Sequence, residues 1–151
     1  MKKLVFILII TMLFLVACAP AAGQGAGTPA EAVLLVTVGE SQRSFSVEDL
    51  QALPPVEATF NAVTYKGVTV SALLEAMGVT PDGIKALKAV ASDGYSVNYD
   101  PAQVLKDHVL VAYALADGSP LSADDGNFRM VLPDEEGKLN VRMLTELQII
   151  Q

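Results

Sequence analysis

The stretch SDGYSVNYDPAQVLKDHVLVAYALADGSPLSADDGNFRMVLP, residues 92–133, is punctuated at short intervals, and that spacing decides the fold class. Asp93-Gly94 marks a reversal. Tyr95 to Tyr99 then alternates, which predicts a strand with both tyrosines and Val97 on one face. Asp100-Pro101 supplies an N-cap and a first-turn proline for a short helix through Leu105. His108 to Leu115 is a β-prone apolar run, Asp117-Gly118 and Asp125-Gly126 bracket a loop, and Phe128 to Leu132 reads as a further strand. Helices of two or three turns at most, in no strict βαβ alternation, predict an α+β domain with a mixed or antiparallel sheet.

Working outward towards the N-terminus, VLLVTV (33–38) is a strand, Gly39-Glu40 a turn, and Arg43 to Phe45 its hairpin partner. Ser46 is placed to cap a helix whose first turn carries Glu48 and Asp49 at the positive end of the dipole, and Pro54-Pro55 stops it. Val56 to Tyr65 is expected to be extended, with a turn at Lys66-Gly67. SALLEAMG (71–78) has helical spacing ending at Gly78. Leu87 to Ala91 is a small strand after the Pro81-Asp82-Gly83 turn. Beyond the acidic turn from Pro133 to Gly137, the last segment ends in the apolar Leu147, Ile149 and Ile150. About 120 residues, from the start of the first strand to Gln151, suit one domain with one core.

In order along the chain, SVEDLQALP, YKGVTVSALLEAMGV, the 92–133 stretch and GKLNVRMLTELQII resemble the molybdopterin-binding domain of the sulfite oxidase family. The similarity covers nearly all of residues 33–151. It implies an α+β fold with a mixed sheet, and a molybdopterin cofactor in members that keep the chemistry.

Several residues depart from that pattern. Cofactor-bearing members hold molybdenum with a cysteine thiolate in a loop after the strand that corresponds to about Val56 to Phe60. Here Asn61-Ala62-Val63-Thr64 leads directly to Tyr65-Lys66-Gly67, without a cysteine. Molybdenum needs its soft sulfur ligands. The family's His-Gly-x-Pro-x-Arg segment appears as Asp125-Gly126-Asn127-Phe128-Arg129, which keeps the glycine and the arginine. Its Gly-x-Lys-Ser-x-Lys-Trp segment appears as Gly137-Lys138-Leu139-Asn140-Val141-Arg142-Met143. No molybdenum centre and no other cofactor is therefore expected, with molybdopterin as the alternative.

The chain's N-terminus sets a second expectation. Lys2 and Lys3 precede an apolar run from Leu4 to Ala17 that ends at Cys18, the only cysteine. That run is shorter than the roughly 20 residues a transmembrane helix wants, and APAAGQGAGTPAEA follows. Leu15-Val16-Ala17-Cys18 resembles a bacterial lipobox, so residues 1–17 are expected to be a lipoprotein signal peptide. Cys18 would be the acylated first residue, residues 18–32 a linker, and 33–151 the domain on the outer face of a bacterial membrane. Without the two signal lysines, eight basic residues face seventeen acidic ones, a net of −9. Such acidity argues against nucleic acid and against adhesion to anionic lipid.

Candidate sites in the domain are few. His108 lacks the second histidine or cysteine of a zinc set, and is expected to be a partly exposed residue at a strand start. Asp124-Asp125 and Asp134-Glu135-Glu136 lack calcium-loop spacing and are expected to be solvated turns. Ligand-binding candidates are Asp93 and Tyr95 from the SDGY turn and Arg129, at the remnant of the cofactor cleft. A lone arginine beside a strand is, however, more often a surface or buried ion-pair residue. A small anionic or planar polar molecule would suit such a site. The sequence thus supports a lipid-anchored binding or interaction module, with no catalytic residue assigned. A molybdopterin-dependent oxidoreductase or redox accessory subunit, and a structural component docked to an envelope protein, are the alternatives.

Overall fold

In a computed structural model, residues 32–151 are described. The predicted signal, Cys18 and all but the last residue of the predicted linker lie outside them. Nine strands form two sheets. The first is five-stranded and mixed, in the order β2 (Ser41–Ser46), β1 (Val33–Val38), β9 (Leu144–Ile150), β5 (Ala86–Ala91), β6 (Ser96–Tyr99). Within it β1 and β9 run parallel and all other pairs are antiparallel. The second is four-stranded and antiparallel, in the order β3 (Val56–Phe60), β4 (Val63–Thr69), β7 (Leu110–Leu115), β8 (Arg129–Val131). Three short helices, α1 (Val47–Gln51), α2 (Val70–Ala76) and α3 (Pro101–Val104), complete the α+β domain.

Why these residues form these elements is local chemistry. Ser46 Oγ accepts from the Asp49 amide at 3.1 Å while Asp49 accepts from the Ser46 amide at 2.8 Å, a reciprocal cap that starts α1. The Ser46 amide and, at 2.9 Å, the Ser46 hydroxyl both donate to Asp49 Oδ2 and hold that carboxyl below the usual carboxylate range. Thr69 caps α2, and Arg43 Nη1 donates to the Ala76 carbonyl at 2.7 Å at its other end. β7 reads LVAYAL because both its faces are covered. Val111 and Tyr113 join the main core with Leu34, Leu87 and Leu147 of the first sheet, while Leu110 and Ala112 face a smaller cluster with Ala58, Tyr65 and Val131.

Two local expectations are corrected. The reversal between β3 and β4 is at Asn61-Ala62, both with positive φ (48° and 63°), as a two-residue hairpin of the I′ kind requires. Lys66-Gly67 lies inside β4 at a register shift, where a Cβ on Gly67 would sit 2.0 Å from the Val111 carbonyl oxygen. Tyr95 precedes β6 and is exposed, so only Val97 and Tyr99 share the buried face. At the C-terminus, Leu147 and Ile149 are buried but Ile150 is half-exposed.

The register divides the first sheet into two ends. Leu35 of β1 pairs with Glu146 of β9, and Ala91 of β5 with Leu144, so the start of β1, the start of β9 and the β5–β6 turn lie together. At the far end are the Gly39-Glu40 hairpin and the bond from the Lys85 amide to the Ile150 carbonyl.

Candidate functional site

At the first of those ends, two cavities share Gly137, Asn140 and Arg142 as a common wall. One, of about 270 Å³, is lined by Asp93, Tyr95, Lys138 and Met143. Its neighbour, of about 370 Å³, is lined by Phe60, Tyr65, Asp124, Asp125 and Arg129. The three sequence candidates are thus brought to one end of the molecule but not into one cavity. Asp93 and Tyr95 share the first, and Arg129 belongs to the second.

Arg129 is buried at 5% exposure, with Nη1 and Nε both bonded inside the domain. Its Nη1 donates to Asp125 Oδ1 at 2.6 Å and to the Tyr65 hydroxyl at 2.7 Å, its Nε reaches the Met130 carbonyl at 3.4 Å, and its guanidinium lies 4.5 Å from the Tyr65 ring centroid. Ser122 Oγ donates to the other Asp125 oxygen at 2.9 Å. Asp125 is therefore a buried ion-pair partner, which corrects the expectation that the Asp124-Asp125 cluster is a solvated turn. Burial pushes the Tyr65 hydroxyl above the usual phenol value, against the pull of Arg129.

Arg142 has the opposite environment. It is exposed, makes no side-chain hydrogen bond or ion pair among the described residues, and borders both cavities. Asp93, which also lines the first cavity, spends one oxygen on the Tyr95 amide at 2.9 Å, the local bond that shapes the SDGY turn. The Tyr95 hydroxyl donates to the Lys138 carbonyl at 2.8 Å, and buried Tyr99 donates to the Leu139 carbonyl, so the two tyrosines fix the 137–139 segment over the sheet. Asn140 is buried and committed to Leu132 and Glu136, so it shapes the wall. Lys138 pairs with Glu136 at 2.8 Å. Arg142 is consequently the exposed arginine at the border of the two cavities without a side-chain partner among the described residues, a role not assigned to it from the sequence. The signal was present: Arg142 stands where the resembling segment has its second lysine.

Met143 ties the site together. It has φ 48°, its amide donates to the Asp125 carbonyl at 2.7 Å, and its carbonyl accepts from the Ser92 amide at 2.9 Å. Gly126, at φ 74°, packs so closely that a Cβ there would lie 2.8 Å from Met143 Cα. One strained residue thus joins the Asp125–Arg129 loop to the SDGY turn.

His108 borders neither cavity. It lies before β7 and bonds Asp134 Oδ2 at 2.7 Å, with Lys106 at 3.4 Å from the same oxygen, and these bonds hold the Asp134 carboxyl below its usual range. Among the described residues, no group of three or more His, Cys, Asp or Glu side chains could hold a metal ion.

Comparison with known proteins agrees with this architecture. A solved structure, the sulfane dehydrogenase SoxCD from Paracoccus pantotrophus, is similar with a TM-score of 0.65 and 25% sequence identity, over 78% of this chain and 38% of that one. The chain therefore spans well under half the length of that relative. No curated protein matches. The family described as "Oxidoreductase molybdopterin binding domain" matches residues 32–151. With the whole described domain accounted for by that match, the chain belongs to the oxidoreductase molybdopterin-binding domain family.

Proposed function

We propose that this protein is a lipid-anchored binding module on the outer face of a bacterial membrane, which uses the molybdopterin-binding fold without a molybdenum centre. The observation that carries this reading is the hairpin at Asn61-Ala62. Two residues join β3 to β4 where cofactor-bearing members carry the thiolate loop, and no cysteine occurs among residues 32–151. The remaining donors do not fit the group either. Arg129, which would approach a pterin in the family pattern, has its Nη1 engaged by Asp125 and Tyr65. A phosphate-bearing cofactor would find the exposed guanidinium of Arg142 in a cavity also lined by the carboxylate of Asp93.

What the site offers is a small polar cleft of mixed sign. Arg142 can present two parallel N–H donors to a carboxylate, phosphate or sulfate. Asp93 keeps one oxygen for a donor group, and half-exposed Tyr95 presents a ring face. A volume of about 270 Å³ is near the lower edge of the roughly 300–1,000 Å³ of small-molecule sites. A compact polar ligand carrying both an acidic and a basic group suits it better than a polyanion.

The test is elemental analysis with a native mass spectrum, on protein purified from a host that makes the molybdenum cofactor. Protein without stoichiometric molybdenum is expected. Molybdenum at one per chain together with a pterin fluorescence signature would replace this reading with that of a molybdopterin-dependent oxidoreductase.

A further inference from the structure

The described chain enters the domain beside the ligand cleft. Ala32 and Val33 line a third cavity, of about 280 Å³, together with Ser92, Gly126, Met143 and Leu144. Met143 is also a wall of the Asp93–Arg142 cavity. The strand register gives the same placement, since the start of β1 lies with the start of β9 and the β5–β6 turn. The Gly39-Glu40 hairpin and the C-terminal end of β9 are at the opposite end of the sheet.

Residues 19–31 separate Cys18 from this entry point. A random coil of thirteen residues would have a root-mean-square span of about 20 Å. A domain of this size has a radius of gyration of about 14 Å, so it is wider than that span. Anchored at Cys18, the domain pivots about a point next to its cleft. The cleft then stays close to the bilayer and the far end points outward. A net charge of −9 opposes flat adsorption on anionic lipid, whereas the cleft itself pairs a free cation, Arg142, with a carboxylate, Asp93.

Resting on the reading of Cys18 as a lipid anchor, we propose that the cleft end is the membrane-facing surface, and that the Asp93–Arg142 cavity takes a zwitterionic phosphate–ammonium group displayed by that membrane. The phosphate meets the Arg142 guanidinium and the ammonium the open Asp93 oxygen. Tethering holds such a group at an effective concentration in the millimolar range, so a small open cavity with modest intrinsic affinity suffices.

With Cys18 acylated, no other thiol remains, so one added cysteine can be labelled uniquely. Ala123→Cys at the cleft end and Glu40→Cys at the far end are both exposed positions. The full lipidated chain, labelled at either site in vesicles containing an acceptor lipid, should show several-fold greater energy transfer from position 123 than from position 40. Equal or reversed transfer in protein that floats with the vesicles overturns the orientation. Protein that does not float shows instead that the anchor itself is wrong. In phosphatidylethanolamine vesicles, Arg142→Ala should lower transfer from position 123, and replacing that lipid by phosphatidylglycerol should lower it in the unsubstituted chain. O-phosphoethanolamine in solution should compete. If the free compound binds through Arg142 while lipid composition makes no difference, the ligand comes from the bulk phase and the membrane source is overturned.

Discussion

Arg129 and Arg142 border the same cavity and have opposite fates. The first is buried against Asp125 and Tyr65, and the second is exposed without a partner among the described residues. An arginine in this fold is thus recruited either to hold the loop after β7 onto β4 or to meet something outside, and burial decides which. Charge alone does not make a binding residue. The sharpest test of the contrast is Arg129→Ala, which leaves Asp125 buried and unpaired and is expected to cost about 3–5 kcal/mol. Urea unfolding with an unchanged m-value would read this out. Stability unaltered within about 0.5 kcal/mol would place Arg129 with Arg142 among the surface charges.

The next largest effect is expected at the join between the two cavities. Gly126→Ala adds a methyl 2.8 Å from Met143 Cα in a left-handed conformation, and both faults act at once. A loss of about 2–3 kcal/mol is expected. Because Met143 bonds the Asp125 and Ser92 backbones, amide exchange should quicken at Ser92 to Tyr95 as well as at Asp125 to Arg129. Faster exchange in only one of these segments would show that Met143 does not couple them.

How much of this was legible from the sequence differs between the regions. The frame was: the cap at Ser46, the hairpin at Asp93-Gly94 and the strand from Val33 each follow from local residue chemistry, and the structure contains them. The site was legible only in outline. Lys66-Gly67 reads as a turn because glycine usually supplies conformational freedom, but Gly67 is needed for its missing Cβ against Val111, a contact made across strands. Ala62 gives no composition signal for its positive φ. Asp125 and Arg129 are four apart in sequence, yet that spacing implies contact only on a helix, and here a loop brings them together. Availability of a charge depends on what tertiary packing leaves over, which is why the sequence shows Arg142 as part of a segment and not as a site.

A smaller effect separates the buried tyrosines, Tyr99 and Tyr65, from the exposed Tyr95. Burial raises the Tyr99 hydroxyl well above the ordinary phenol value, with Tyr95 nearby adding to the shift, and burial raises Tyr65 as well. A folded-state pKa raised above the unfolded value near 10 stabilises the fold fully below that pH. The contribution is lost as pH rises from about 10 through the folded value, because the unfolded chain releases the proton first. The thermal midpoint should therefore fall above about pH 10, and Tyr99→Phe should flatten that fall. An unchanged alkaline slope in the variant would show that Tyr99 does not contribute to it.

The smallest effect on stability is expected at Arg142, and it bears most directly on function. Removing its guanidinium breaks no ion pair or side-chain hydrogen bond among the described residues, so Arg142→Ala should change unfolding free energy by less than about 0.5 kcal/mol. The same change removes the uncommitted cation of the cleft. Binding of a zwitterionic probe such as O-phosphoethanolamine should weaken by about 1.5–3 kcal/mol, the scale of a hydrogen bond to a charged group. Arg142→Lys keeps the charge but not the paired donors, and should recover part of the loss. A variant that destabilised the domain as strongly as Arg129→Ala would make Arg142 a second structural arginine. One that left both stability and probe binding untouched would move the ligand site away from the cavity shared by Asp93 and Tyr95.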